Sequence, residues 1–352
     1  LIYPCFESAD ELSLKRKVQL KLGKPPIYDR EALKISKTEL SSLISSGKQP
    51  HWRLKLDDEL IEWEDEIHGN IKFDNLSISD PVLFRSDEMP LFTITSVVDD
   101  IEFNVTNILR GDDHITNTAA QIKLFKYFGS SIPSFAHFPL MRSRSGQGLS
   151  KRFNSFSIRE LRKKRIIPLI LINYLQKIGS SSSIDNIEIL EKLIQKFNIN
   201  TFSKNSVLFN GEDLDRLNSK HIKTLSTNDL EKIAKISIDE KFWKIIKLNI
   251  DNFDDIEKWK KILTSNLIKQ KVKVGENLFN LIKKNLPERI DSNTWSLWTK
   301  TILKEVDIKP KELFVKIRMM LTGKSYGPSM NELLTLFSRK EILKRISNNC
   351  EQ

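Results

Sequence analysis

Cysteine is scarce in this sequence of 352 residues, where Cys5 and Cys350 stand alone at opposite ends. A disulfide framework and a local cysteine cluster are therefore excluded, and a reducing compartment fits this usage. Long apolar runs are missing as well. No stretch approaches the roughly 20 residues needed to cross a bilayer, and nothing at the start resembles a signal peptide. We therefore expect no membrane association and a cytoplasmic location.

The first position lacks a methionine and is occupied by Leu1. We expect that the chain begins inside a longer gene product or has been processed. Internal repeats of solenoid period are also missing. At this length the chain can form two or three domains with proper hydrophobic cores.

The two signs of charge are unequal, with 57 Lys and Arg against 46 Asp and Glu and a net charge of +11. A surplus of this size favours a polyanionic partner such as a nucleic acid. The alternative is that Lys, Asn and Ile dominate the C-terminal half through drift of an A/T-rich genome. That drift raises the charge without any partner, so charge alone leaves both interpretations open.

Two charged clusters lie between Ser96 and Arg152. The first comprises Val97-Val-Asp-Asp100 and Arg110-Gly-Asp-Asp-His114, and the second is Gly148-Leu-Ser-Lys-Arg152 in a Gly/Ser/Arg loop. The segments 91–98 and 101–109 are predicted as strands from their β-branched and aromatic residues. A strand, a polar turn and a helix in succession present ligand groups at the carboxyl edge of an open α/β sheet.

The segment between the clusters, 118–128, is predicted as an amphipathic helix. Ala119, Ile122 and Phe125 recur at helical spacing, whereas Lys123 and Lys126 face elsewhere. From residue 157 onwards the pattern is almost entirely helical. The fold class predicted is therefore an α/β N-terminal part followed by all-α domains.

Several motifs follow one another in a familiar order, namely Thr93–Asp100, Ile108–His114, Asn117-Thr118, Phe135–Leu140 and Leu149–Arg152. This order and spacing resemble bacterial glutamyl-tRNA synthetases, which are class I aminoacyl-tRNA synthetases. The C-terminal run Pro310–Phe314 and Leu321–Gly323 with Gly327-Pro328 also fits, so the resemblance covers nearly the whole chain. It implies the second half of a Rossmann-like nucleotide-binding sheet with an α+β connective insert.

The resemblance also implies a domain order. Residues 1–80 would form the connective insert that receives the acceptor end of tRNA, and 81–156 the second half of the catalytic domain with its signature loop. Residues 157–238 would form a helical stem-contact domain, and 239–352 an all-α anticodon-binding domain. The partners implied are tRNA and L-glutamate, and we expect a monomer.

The implied reaction is ATP-dependent activation of glutamate, followed by transfer to the 3′ end of tRNA. Both reactants of the first step are anionic, so the useful groups are fixed positive charges and backbone donors. Mg²⁺ neutralises part of the phosphate charge. Lys151 is the implied catalytic residue, since its ammonium can follow the β- and γ-phosphates. The ATP-binding residues implied are Gly148, Leu149, Ser150, Lys151, Arg152, Asp113 and His114. Without the resemblance, the pair Lys151 and Arg152 in a polar loop is more typical of a solvated surface.

The resemblance implies that Arg110 and Phe92 contact glutamate, Arg110 through paired guanidinium–carboxylate hydrogen bonds. A salt bridge from Arg110 to Asp99 or Asp100 is the alternative. Relatives usually carry Tyr at the position of Phe92 and Lys at that of Gly148. Arg142 or Arg144 is the hypothesised substitute for that lysine.

Cys5 falls in a region that holds zinc in some relatives. Because no second ligand stands near it in the sequence, we expect no zinc. The basic segment 159–165 either meets tRNA phosphates or is a solvated face. The tryptophans of the C-terminal half are predicted as core anchors.

The N-terminal His-Ile-Gly-His type of signature is absent from this sequence. The chain alone is therefore expected not to adenylate glutamate, the activity belonging to the full-length protein. The missing signature also suits a non-catalytic tRNA-binding protein derived from such an enzyme. Glutaminyl-tRNA synthetase is a rival, although its relatives end in β-barrels, and a helical scaffold without nucleic acid is a further alternative.

Overall fold

The computed structural model describes residues 1–57, 59–74, 78–143, 146, 149, 157–264 and 271–351. The chain divides into two compact units. The first unit contains Leu1–Ser150, Gln176–Ser183 and Glu191–Phe209, and the second contains Lys151–Leu175, Ile184–Leu190 and Asn210–Gln352.

The α-helices and strands have the following bounds. The strands are β1 Ile2–Cys5, β2 His51–Leu54, β3 Ile61–Asp65, β4 Gly69–Phe73, β5 Val82–Phe84, β6 Asn107–Gly111, β7 Ser134–Phe138, β8 Met141–Arg142, β9 Val207–Leu208, β10 Val272–Lys273 and β11 Cys350–Glu351. The α-helices are α1 Ala9–Lys21, α2 Lys37–Ser45, α3 Phe92–Glu102, α4 Ile115–Tyr127, α5 Ile158–Lys163, α6 Pro168–Lys177, α7 Leu190–Lys196, α8 Gly211–Ile222, α9 Thr227–Ala234, α10 Glu240–Ile246, α11 Phe253–Thr264, α12 Glu276–Lys284, α13 Thr294–Glu305, α14 Pro310–Thr322, α15 Met330–Leu333 and α16 Arg339–Asn349. Short 3-10 helices lie at Glu31–Lys34, Asp112–His114, Ile199–Thr201, Lys247–Asn249 and Leu334–Leu336.

A mixed four-stranded sheet in the order β4-β3-β7-β6 organises the first unit. β3 and β4 pair antiparallel, whereas β7 pairs parallel with both β3 and β6. A separate antiparallel sheet has the order β1-β2-β5. The predicted α/β N-terminal part followed by helices is confirmed.

The core of the first unit lies between the mixed sheet and α4. Ala119, Ile122 and Phe125 are buried there with Trp63 and Phe135, which confirms the predicted apolar face. Burying these side chains is the main favourable term that holds helix and sheet together.

Lys123 does not face away from this core as predicted. Its side chain is 2% exposed, and its ammonium lies 2.6 Å from Asp57 Oδ1 and 2.9 Å from Glu59 Oε2. Burial alone would lower the pKa of Lys123, but the hydrogen bonds to the two carboxylates raise it. Spacing on one helix could not reveal these partners, because both precede Lys123 by more than 60 residues.

The strand predicted for 91–98 is wrong, because these residues belong mostly to α3. The strand predicted for 101–109 is wrong in its first part, since β6 begins only at Asn107. Ile94, Val97 and Ile101 recur at helical spacing and pack on the core. That burial outweighs the β propensity of Thr, Ile and Val, which depends strongly on context.

Side-chain caps begin the first two helices. Ser8 and Glu11 form a capping box, in which the Glu11 amide donates to Ser8 Oγ at 3.2 Å and the Ser8 amide donates to Glu11 Oε2 at 2.7 Å. The reciprocal bonds satisfy amides that a helix start leaves unpaired. At the start of α2, Ser36 Oγ accepts from the Glu39 amide.

The second unit is helical apart from the short β10–β11 pair. Trp243, Trp259 and Trp298 are buried, which confirms their prediction as core anchors. The indole N–H of Trp243 donates to the Leu225 carbonyl, and that of Trp298 donates to the Ile282 carbonyl. Within the described ranges, no helix is both long enough and apolar enough to cross a bilayer.

Arg345 on α16 is buried and ties helix ends together. Its guanidinium donates to the carbonyls of Leu321 at 2.8 Å and Leu263 at 2.5 Å, and it covers the Phe337 ring at 4.6 Å. These carbonyls belong to the last turns of α14 and α11, where helix carbonyls lack partners within the helix. Burial lowers the pKa of Arg345.

We expect Arg345→Ala to destabilise the second unit by roughly 3 kcal/mol, because it leaves two carbonyls unpaired and opens a cavity. Lys344→Ala, on the exposed side of the same helix, should change stability by less than about 0.5 kcal/mol. Native-state hydrogen exchange of the α14 and α16 amides measures both. Equal protection in the two variants would contradict this role.

Candidate active site

Five elements of the first unit converge on Arg110: α3, the end of β6, the 3-10 helix Asp112–His114, α4 and β7. Arg110 is paired in register with His137, and Gly111 with Phe138, along the parallel strands β6 and β7. Register partners on neighbouring strands place their side chains on the same face of a sheet. Arg110 and His137 are therefore neighbours, although 27 positions separate them.

The guanidinium of Arg110 is held by neutral acceptors. Its Nη2 donates to Thr118 Oγ1 and to Gln121 Oε1, both at 2.6 Å, and its Nε donates to His137 Nε2 at 3.4 Å. The guanidinium carbon also lies 5.6 Å from the centre of the Phe135 ring. Burial lowers the pKa of Arg110, and the negative charges of Asp100 and Asp113 oppose this effect.

The alternative of a salt bridge from Arg110 to Asp99 or Asp100 is wrong. In the part of the chain that the structure describes, no carboxylate lies within 4.0 Å of this guanidinium. A half-buried charge that no described carboxylate contacts directly is well suited to an anionic ligand.

Behind Arg110 lies a wholly buried pair, Asp65 and His137. Asp65 Oδ2 lies 2.5 Å from His137 Nδ1, and Asp65 Oδ1 accepts from the backbone amides of Ile67, His68 and His137 at 3.0–3.3 Å. Burial alone would raise the pKa of Asp65, but the hydrogen bonds from His137 and the backbone amides hold it well below its usual range. The ring atom His137 Nε2 lies 2.8 Å from Thr118 Oγ1.

Gln121 extends the network towards α3. Its amide donates to Ser96 Oγ at 2.5 Å, and the Ser96 hydroxyl donates to the Phe92 carbonyl at 2.8 Å. Sequence reasoning assigned no role to the side chains of Asp65, Ser96, Thr118, Gln121 and His137. A usable signal was the position of Thr118 and Gln121 on the same face of α4 as the apolar residues.

Phe92, Asp113 and His114, the other predicted site residues described on these elements, lie on α3 and on the 3-10 helix that follows β6. The rings of Phe92 and His114 approach to 5.6 Å between centroids. Phe92 is 50% exposed, and His114 Nδ1 is buried without a hydrogen-bond partner among the described residues. Asp113 is exposed and contributes negative charge near Arg110.

Most of the predicted ATP loop lies outside the described residues, namely Gly148, Ser150, Lys151 and Arg152, together with Arg144. Leu149 is described and half-buried. Arg142 is exposed on β8, and its Nη1 donates to the Gly146 carbonyl at 3.2 Å.

The premise that Cys5 has no neighbouring ligand is wrong. The ligand atoms of Cys5, Glu7 and His51 all lie within 4.8 Å of one another. Glu7 Oε2 and His51 Nε2 are buried without a hydrogen-bond partner, and the Tyr28 hydroxyl donates to Glu7 Oε1 at 2.7 Å.

The fit of this group to zinc is incomplete. Structural zinc takes four ligands, of which thiolates are the strongest. Here three donors meet, burial raises the pKa of the Cys5 thiol, and the positive charge of Arg53 lies close to it. The group therefore does not match a closed tetrahedral site.

Two family models match the chain. Residues 1–216 match the catalytic domain of class I tRNA synthetases (E and Q), and residues 276–350 match an anticodon-binding domain.

Curated relatives match almost the whole chain. The glutamate–tRNA ligase 1 of Wolbachia sp. subsp. Brugia malayi is 37% identical over 349 residues, covering 98% of this chain and 79% of the relative. That of Ehrlichia chaffeensis is 38% identical, covering 99% of this chain and 79% of the relative.

The fold is also that of a solved structure, a glutamate–tRNA ligase from Elizabethkingia meningosepticum in complex with its amino acid. The TM-score is 0.75 at 19% identity, covering 98% of this chain and 78% of that one. At this identity the structure supports the fold alone. The curated relatives and the catalytic-domain model together show that the chain belongs to the glutamate–tRNA ligases (glutamyl-tRNA synthetases) of class I.

Proposed function

We propose that this protein activates glutamate with ATP to form glutamyl-adenylate and then transfers the glutamyl group to the 3′ end of tRNA. In the first step the glutamate carboxylate attacks the α-phosphate of ATP and pyrophosphate leaves. The observation that carries the proposal is the guanidinium of Arg110, which is fixed at the carboxyl end of a sheet strand without a carboxylate partner among the described residues. Ligands of open α/β sheets bind at this edge.

Arg110 is proposed to bind the carboxylate of glutamate. Its Nη2 and Nε are engaged by Thr118, Gln121 and His137, whereas Nη1 has no hydrogen bond to a described residue. Nη1 can therefore donate to a ligand without breaking a protein contact. The exposed ring of Phe92 is proposed as the wall of the same pocket, lacking the hydroxyl that relatives usually supply.

ATP with Mg²⁺ is the cofactor expected for this class of synthetase. We propose that Lys151 is catalytic, binding the phosphates as a mobile point charge, with Gly148, Leu149, Ser150 and Arg152 shaping the loop. Asp113 and His114 are proposed to face the ribose and base. The contact from Arg142 to the carbonyl of Gly146 supports Arg142 as the second cation of this loop.

The tRNA contacts are proposed to follow the domain order inferred from the sequence, with 1–80 at the acceptor end, 157–238 at the stem and 239–352 at the anticodon. Residues 81–156 complete the catalytic domain. In the second unit, a groove of about 780 Å³ is lined by both signs of charge, with Lys164 paired to Asp215 and Lys223 paired to Asp251, and with Arg216 and Lys220 beside them. Lysine and arginine side chains of this kind bind phosphates without regard to sequence.

We also propose that the protein acts as a monomer in the bacterial cytoplasm, where tRNA is charged. The glutamyl assignment is favoured over a glutaminyl enzyme, whose relatives end in β-barrels. Residues 276–350 match an anticodon-binding domain, and the C-terminal part of this chain is helical.

We expect Arg110→Lys to raise the KM for glutamate by roughly 10²-fold, because lysine keeps the charge but loses the planar guanidinium whose Nε and Nη2 bonds hold Nη1 in place. The KM for ATP should change less than about threefold. ATP–pyrophosphate exchange by the intact enzyme measures both. Arg85→Ala, which removes an exposed arginine paired with Asp87, is the matched control. An unchanged KM for glutamate would refute the role of Arg110.

Replacement of Lys151 by Ala should lower the kcat of pyrophosphate exchange by about 10²–10³-fold, since a preorganised charge on the leaving phosphates is lost. Arg142→Ala should lower it less. Lys126→Ala, at an exposed position of α4, serves as the control. Normal exchange in the Lys151 variant would exclude it from catalysis.

Zinc is expected to be well below one equivalent per chain when the purified protein is measured by plasma mass spectrometry, because the Cys5 group supplies three ligands where structural zinc takes four. One equivalent of zinc in the parent that is lost in Cys5→Ser would show that this group binds zinc.

A further inference from the structure

In the hydrogen-bond network behind Arg110, the chemistry of each group decides which atoms donate and which accept. An ionised carboxylate only accepts hydrogen bonds, and a guanidinium only donates them. His137 lies between the two, with Nδ1 at 2.5 Å from Asp65 Oδ2 and Nε2 at 3.4 Å from Arg110 Nε. A neutral imidazole whose hydrogen is on Nδ1 satisfies both neighbours at once.

Thr118 fits the same arrangement. Its oxygen accepts from Arg110 Nη2 at 2.6 Å, and its own hydrogen has two acceptors in reach, His137 Nε2 at 2.8 Å and the His114 carbonyl at 3.2 Å. If Nε2 instead carried the hydrogen, it would face the N–H of Arg110 Nε, and two donors would oppose each other. The other ring nitrogen sets the tautomer of a histidine in this way.

We propose that His137 is a positioning residue for glutamate binding, held by Asp65 in the Nδ1–H tautomer so that its Nε2 lone pair orients the guanidinium of Arg110. This inference rests on the proposed role of Arg110. An arginine side chain has many rotamers, and fixing one before the ligand arrives removes part of the ordering cost of binding. The acceptors at Nε and Nη2 leave Nη1 as the donor for the ligand.

The surroundings of Asp65 make a sharp test available. Its Oδ1 accepts from three backbone amides, which only an oxygen can do. In Asp65→Asn the amide oxygen stays at those three donors, so the NH₂ group faces His137 Nδ1. The ring must then carry its hydrogen on Nε2, opposite Arg110. The variant reverses the tautomer while keeping the shape of the site.

We expect Asp65→Asn to raise the KM for glutamate by roughly tenfold or more, with a smaller effect on the KM for ATP, in pyrophosphate exchange by the intact enzyme. Long-range ¹H–¹⁵N NMR should show the His137 hydrogen on Nδ1 in the parent and on Nε2 in the variant.

Asp80→Asn is the matched control. Asp80 is another wholly buried carboxylate of the first unit, and it binds Tyr3, Arg30 and the Leu56 amide. The Asp80→Asn variant should be less stable than the parent, and its KM for glutamate should stay at the parental value. This comparison separates positioning from a general loss of a buried charge.

Thr118 supplies a second, independent pair of variants. Thr118→Ser keeps the hydroxyl and should retain a KM for glutamate near that of the parent, whereas the isosteric Thr118→Val should raise it. Because Thr118 accepts from Arg110 directly, this pair tests whether fixing the guanidinium matters for glutamate binding. The position of the hydrogen on His137 in the parent, read by NMR, tests the tautomer even when Asp65→Asn does not fold.

The possible failures are distinguishable. A KM for glutamate that is unchanged in Arg110→Lys would refute the proposed function, and with it this inference. A large effect of Arg110→Lys together with parental values in Asp65→Asn and Thr118→Val would overturn the inference alone. A hydrogen on Nε2 of His137 in the parent would overturn it as well.

Discussion

A positive charge that is half-buried and held by neutral acceptors is the constraint around which the first unit is built. Arg110 contacts a hydroxyl, an amide and an imidazole, and no carboxylate among the described residues neutralises it. Such a charge is costly to bury, and the cost is reduced when a ligand supplies the counter-ion. This arrangement supports the proposed binding of an anion at Arg110.

Lys123, another buried cation of the first unit, differs from Arg110 in having carboxylate partners. Lys123 lies two positions after Gln121 on α4 and is paired with Asp57 and Glu59. The pairing tethers α4 to the segment between β2 and β3. Two cations of one helix-and-sheet layer therefore serve different purposes: the one with carboxylate partners stabilises the fold, and the one without them is available for binding.

Much of the site was predictable from the order of motifs along the chain. Phe92, Arg110, Asp113 and His114 lie within 23 positions, on consecutive elements, so the order of motifs could group them. The helix of Ala119, Ile122 and Phe125 followed from periodicity. The strand predicted for 91–98 failed because β propensity was weighed more heavily than the three- and four-residue spacing of Ile94, Val97 and Ile101, which decides which residues reach the core.

By itself, the sequence determined the family, the change from an α/β part to helices, and the residues of the candidate site that are close along the chain. Only the tertiary structure decided which side chains hold Arg110, because Asp65 comes from β3 and His137 from β7, far from it in the chain. It also decided that Cys5 has Glu7 and His51 as neighbours. Hydrogen bonds and ligand geometry depend on distances of a few ångströms between strands, and sequence spacing alone does not fix which strands become neighbours in a sheet.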